Sequence, residues 1–170
     1  TATVGLVVTT IADPFIAEVV QGIEDTALSH HYNAILCASQ SEPERELKSV
    51  RTLREKRVDA IIVTSSRLGN LYLSHLRELG VPIVLINNQR GGNYTHSVLI
   101  DNRRGGELVG RYLLGLGHER IAYITGPIWA HASGLRLAGL RQALRTRGLS
   151  LPAEWVLKGD GRVEGGVEAT

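Results

Sequence analysis

The sequence predicts an α/β protein built on a parallel sheet flanked by helices. Short apolar runs of strand length, amphipathic stretches of helical period between them, and the regular alternation of the two carry that expectation. Runs that are apolar throughout suit strands covered on both faces, and strands joined through helices lie parallel, with right-handed crossovers.

Val4-Gly5-Leu6-Val7-Val8 is the first strand. After a polar turn, Asp13 caps a helix, Pro14 fills its first position, and Ile16, Val19, Val20, Ile23 and Ala27 recur at three- and four-residue spacing. The unit then repeats. Residues 34–38 form a strand, Ser41-Glu42-Pro43-Glu44 reads as a capping box, and Leu47, Val50 and Leu53 make the buried stripe of the next helix. Residues 60–63 give the third strand. A helix over residues 70–79 stops at Gly80, and its Leu71, Leu73 and Leu76 exceed what one buried face requires, which points to self-association. Pro82 opens a fourth strand over residues 83–86, followed by a loop over 89–94, a short strand over 97–100 and a helix over 105–116. Beyond His118 the pattern restarts with a strand over 121–124, a helix over 133–147 with Leu137, Leu140 and Leu144 inward, a strand over 155–157 and the start of another helix. The expected division is therefore a first lobe over residues 1–118 and the beginning of a second, incomplete lobe over 119–170.

Composition excludes several classes of function. Apolar residues make up 43% and charged residues 21% of the 170, close to ordinary globular values, and no run approaches the length of a membrane span. The first strand lacks the basic flank and cleavage site of a signal peptide. A formal charge of +2 does not argue for a phosphate-tracking domain, and Arg141, Arg145 and Arg147 read as a solvated helix face. The single Cys37, inside an apolar run, reads as a small buried hydrophobe. The histidines lack the spacing of a common metal site, so no metal and no cofactor are expected. The turn over residues 9–14 has no glycine for a dinucleotide pyrophosphate, no serine stands in a nucleophile elbow, and Gly134 and Gly139 suit helix packing. The absence of catalytic motifs points to binding rather than to an enzyme.

In open α/β sheets, ligands sit beyond the carboxyl ends of the strands. There the sequence places Thr10, Asp13 and Phe15, then Thr64 and Ser65, then Asn87, Asn88 and Gln89. Hydrogen-bonding groups beside one aromatic suit a hydroxyl-rich ring with an apolar face, as in a sugar.

Several runs resemble the lactose/galactose-repressor family: Asp13-Pro14-Phe15, Arg57-Val58-Asp59-Ala60-Ile61-Ile62, Asp101-Asn102, Arg136-Leu137-Ala138-Gly139, and above all Leu116-Gly117-His118-Glu119-Arg120-Ile121-Ala122-Tyr123-Ile124-Thr125-Gly126-Pro127. The resemblance spans essentially the whole chain. It implies a periplasmic-binding-protein-like type I sensor with strand order 2-1-3-4-5 in its first lobe. Such a sensor encloses a small-molecule effector, here a carbohydrate or polyol, between two lobes, forms homodimers, and controls operator DNA through an N-terminal helix-turn-helix. On that reading the protein is cytoplasmic, touches no membrane, and is represented here without its DNA-binding module.

The resemblance also assigns residues. Asp13 matches a hydroxyl-binding position, Phe15 a ring-stacking position and Arg136 a ligand-reaching arginine. Asn87-Asn88 departs from the family's usual Asp-Arg pair, which leaves the effector open. Trp129 stands in a loop where it can stack on a ligand. Structural alternatives accompany them: Asp13 as a helix cap, Phe15 as a packing staple, Arg136 as the partner of a carboxylate, Trp129 at a lobe interface. An exported sugar-binding protein is the alternative within the same fold, and an enzyme on a doubly wound sheet the alternative from another class.

Overall fold

The computed structural model describes residues 1–66, 80–87, 96–127 and 131–170. The chain divides into two compact units, Thr1–Leu99 and Ile100–Thr170.

The first unit is built on β1 (Thr3–Val8), α1 (Pro14–Ser29), β2 (Asn33–Ala38), α2 (Pro43–Glu55), β3 (Ala60–Thr64), β4 (Ile83–Ile86) and β5 (Ser97–Val98). All strand pairs are parallel, in the order β2-β1-β3-β4-β5. This is the expected order, with β1 paired on both sides. Its central position explains its uninterrupted apolar sequence, because both faces are covered. A core of Val7, Val50, Leu53, Val58, Ile61, Val63 and Leu85 joins α2 to the sheet. Burial of a side chain such as Leu53 contributes about 1.5–3 kcal/mol. Gly5 permits this packing, since a Cβ there would lie 2.7 Å from Leu53 Cδ1.

Local chemistry explains where α2 differs from expectation. Its N-cap is Glu42, in extended conformation and without a side-chain cap hydrogen bond, and Pro43 follows in the first turn. Ser41 has φ 60°, outside the extended geometry an N-cap residue adopts, so the cap position passes to Glu42. Pro43 starts the helix instead, its fixed φ being preorganised for that position. The buried stripe also takes in Glu46, a residue the apolar period does not signal, while Leu47 is half-buried. The expected helix over residues 70–79, with Leu71, Leu73 and Leu76, lies outside the described residues, as does the loop over 89–94.

The second unit comprises α3 (Asn102–Gly115), β6 (Tyr123–Thr125), α4 (His131–Arg145), a 3₁₀ turn (Ala153–Trp155), β7 (Val156–Lys158) and α5 (Val163–Glu168). β6 and β7 pair in parallel. Ile121, Leu140, Leu144 and Leu151 form the core, backed by Leu113 and Leu114 of α3 and by Leu137 and Trp155. Helix α3 begins earlier than its apolar pattern suggests, because the Asp101 carboxylate accepts the Arg104 N–H at 2.9 Å and caps it.

The compact division falls at Leu99, whereas the sequence reading draws the lobe boundary at His118. The difference arises from the packing of α3 on α4. A Cβ on Gly106 would overlap the Arg136 carbonyl, one on Gly139 would overlap the Arg103 carbonyl, and one on Gly110 would lie 2.7 Å from Ala143 Cβ. The two helix backbones touch where the glycines meet. Among the described residues, no helix is long and apolar enough to cross a membrane.

Candidate functional site

The carboxyl ends of β1, β3 and β4 lie side by side on one edge of the first unit's sheet, and the residues that follow them form a polar rim. Asp13 is exposed and caps α1. Its Oδ1 accepts the Phe15 N–H at 2.9 Å, and Oδ2 has no partner among the described residues. The capping role is thus realised, and one carboxylate oxygen is left to accept another donor. Phe15, beside it in the first turn of α1, is 44% exposed. It presents an aromatic surface instead of closing over the core.

Thr64 ends β3 with only 4% of its surface exposed, and its hydroxyl has no hydrogen-bond partner among the described residues. A buried hydroxyl left unpaired costs about 1–3 kcal/mol, which a ligand hydroxyl would recover. Asn87 directly follows β4, is half-buried and has φ 55°. Ser65, directly after β3, has φ 50°, and Ser66 beside it is buried. Left-handed conformations in residues other than glycine are uncommon and cluster at binding sites. The backbone holds here because Ser65 N–H donates to the Ile86 carbonyl and Asn87 N–H to the Val98 carbonyl, both at 2.8 Å. Asp13, Phe15, Thr64 and Asn87 therefore belong to one rim. Asn88 and Trp129 lie outside the described residues.

Arg136 belongs to the second unit. Its Nε donates to Asn102 Oδ1 at 2.8 Å, and Asn102, 2% exposed, in turn donates from Nδ2 to the Ile100 carbonyl at 3.2 Å. The partner is an amide and not the carboxylate of the structural alternative, and it fixes the guanidinium without cancelling its charge. Sequence reasoning missed this role of Asn102; its place after a capping aspartate at a helix start was the available signal. Ser133 steadies the start of α4, its Oγ accepting the Gly126 N–H at 2.8 Å and its carbonyl accepting the Tyr123 hydroxyl at 3.0 Å. Cys37 packs against the first unit's core, and burial pushes its thiol pKa up, a setting for a structural thiol. No cluster of metal-ligating side chains occurs among the described residues.

Residues 1–170 match the family described as periplasmic binding proteins and sugar binding domain of LacI family. The chain belongs to that family. Among curated relatives, this LacI-family chain is 32% identical to the HTH-type transcriptional repressor PurR of Edwardsiella ictaluri, over 99% of the chain and 50% of the relative. Among solved structures it is similar to the transcriptional regulator CelR in complex with cellobiose, at 31% identity and TM-score 0.85, covering 99% of this chain and 54% of that one. A periplasmic binding protein/LacI transcriptional regulator from Alkaliphilus metalliredigens, complexed with D-xylulofuranose, matches at 26% identity and TM-score 0.83, covering 96% and 59%. The LacI-family chain spans about half the length of the curated relatives it matches. Its fold is the periplasmic-binding-protein-like α/β architecture.

Proposed function

We propose that this chain is the effector-sensing part of a LacI-family transcription repressor, which binds a sugar or related polyol and controls operator DNA through a helix-turn-helix elsewhere in the protein. The polar rim of the first sheet carries this reading: an accepting carboxylate oxygen at Asp13, the exposed Phe15 ring, the unpaired Thr64 hydroxyl and Asn87. That set matches a sugar, whose hydroxyls donate and accept while its C–H face stacks on an aromatic ring. The CelR and Alkaliphilus proteins, in complex with cellobiose and D-xylulofuranose, support a carbohydrate, and the PurR relatives support repression. In this reading Arg136 binds the effector through donors that Asn102 leaves over, and Asn88 and Trp129 complete the ligand set.

The protein binds without turnover, acts in the cytoplasm where its operator lies, and works as a homodimer. Calorimetry of the full-length protein against cellobiose and a panel of neutral pentoses and hexoses tests the reading. One sugar is expected to bind, to be recovered unchanged, and to alter retention of operator DNA. No binding by any neutral carbohydrate would overturn the sugar assignment, and sugar binding without effect on operator retention would overturn the repressor role.

A further inference from the structure

The second unit carries a basic groove that the sensing role leaves unused. It runs along α3 and α4, is open to solvent with a volume of about 580 Å³, and is lined by Arg103, Arg141, Gln142 and Arg145, with Leu137 and Ala138 among its apolar walls. Among the described residues, no acidic side chain lines it. Helix α4 contains no acidic residue at all, and the only one in α3, Glu107, is engaged by Arg104 and Arg111. Arg103, Arg141 and Arg145 have no carboxylate partner among the described residues.

The groove is also partly organised. Arg103 donates from Nε and Nη2 to Gln142 Oε1 at 3.2 and 3.0 Å. That contact orients the guanidinium while leaving its charge intact, and it occupies the amide oxygen, so that Gln142 retains its NH₂ as a donor. Arg141 and Arg145 stand four residues apart on one helix face, where like charges repel unless an anion lies between them. Arginines from two helices that line one groove suit the oxygens of a phosphoryl group, and the apolar wall suits a short carbon skeleton. The volume is of the size that small ligands occupy, about 300–1,000 Å³.

We propose that this groove binds a phosphorylated small molecule, with Arg103, Arg141 and Arg145 holding the phosphoryl group and Leu137 and Ala138 facing its carbon skeleton. The site lies within the second unit and does not depend on the sugar rim of the first. The full-length protein is titrated with glycerol 1-phosphate, with inorganic phosphate, and with glycerol and glycerate as controls, at ionic strength matched with chloride. Glycerol 1-phosphate should bind most tightly, inorganic phosphate less tightly, and glycerol not at all. R141E/R145E should weaken glycerol 1-phosphate at least tenfold while leaving the response to neutral sugars unchanged. R141Q/R145Q serves the same purpose if the charge reversal disturbs folding by circular dichroism. Binding that glycerate or matched chloride reproduces, or that survives either double variant, would overturn the proposal.

Discussion

At Asp13 a single carboxylate serves the helix through Oδ1 and has Oδ2 to offer a ligand, so its two roles separate by substitution. Asp13→Ala removes both, and loss of the cap should cost about 0.5–2 kcal/mol in urea unfolding. Asp13→Asn keeps an accepting oxygen for the Phe15 N–H, so unfolding should be nearly unchanged while sugar affinity falls at least tenfold, about 1.4 kcal/mol. Unaltered affinity in Asp13→Asn would remove Asp13 from the site. Glu107 makes a second residue-scale case. Its carboxyl is held below the usual range, first by the hydrogen bond from Arg104 and further by the charge of Arg111, against an opposing push from desolvation. The folded pKa being depressed, the contribution is present above the ordinary glutamate value of about 4.3 and is lost as pH falls through the folded value. Urea midpoints between about pH 6 and pH 3 should therefore fall less steeply in Glu107→Gln than in the parent. Asp13 and Phe15 were legible in the sequence because they follow a strand and open a helix. The Arg136–Asn102 bond was not, since 34 residues separate its partners and the place of Asn102 after a capping aspartate does not say which side chain it meets.

Periodicity identifies elements well and their ends less well. It found α1 and α2, but it started α3 at the apolar pattern rather than at the Asp101 cap, and it offered no signal for burial of Glu46. The glycines of the second unit show the same limit: sequence suggests that Gly134 and Gly139 ease packing, and only Gly139 meets another helix. Among the described residues, nothing lies within 4 Å of a Cβ at Gly134. Gly134→Ala should stabilise α4 by about 0.4–1 kcal/mol. Gly139→Ala and Gly106→Ala should each destabilise by about 1–3 kcal/mol, because a methyl group must displace a backbone carbonyl and not a yielding side chain. Chemical denaturation of the three variants checks the order. A destabilised Gly134→Ala, or a neutral Gly106→Ala, would contradict this account of the α3–α4 contact.

For the molecule as a whole, strand order and fold class were legible because alternation, crossover handedness and family resemblance all led to the same topology. The compact units divide at Leu99, and that division follows from contacts of α3 with α4, which no local pattern records. Self-association belongs to this scale too. Edge strand β2 leaves Leu36 43% exposed, and Leu28 at the end of the neighbouring helix is 70% exposed, with Tyr32 and Ile35 also open. An exposed apolar edge of this kind is a ready surface for a second copy. Sedimentation of the full-length protein at tens of micromolar should report a dimer, and Leu36→Lys should shift it towards monomer. A dimer insensitive to Leu36→Lys would place the interface elsewhere.

The glycine contact between α3 and α4 also has a mechanical meaning. Side chains are the compliant layer between most packed helices, and where Gly106 meets the Arg136 carbonyl and Gly139 the Arg103 carbonyl that layer is missing. A displacement of one helix is therefore expected to pass to the other with little slack, and correlated fluctuation of the two is the testable consequence. Amide protons in the middle of the two helices should exchange with deuterium together, in one opening event, even though the helices are separated in sequence by a strand and two loops. Arg136 and Arg103 supply the two carbonyls at this contact, the places where the helices have least room to slide.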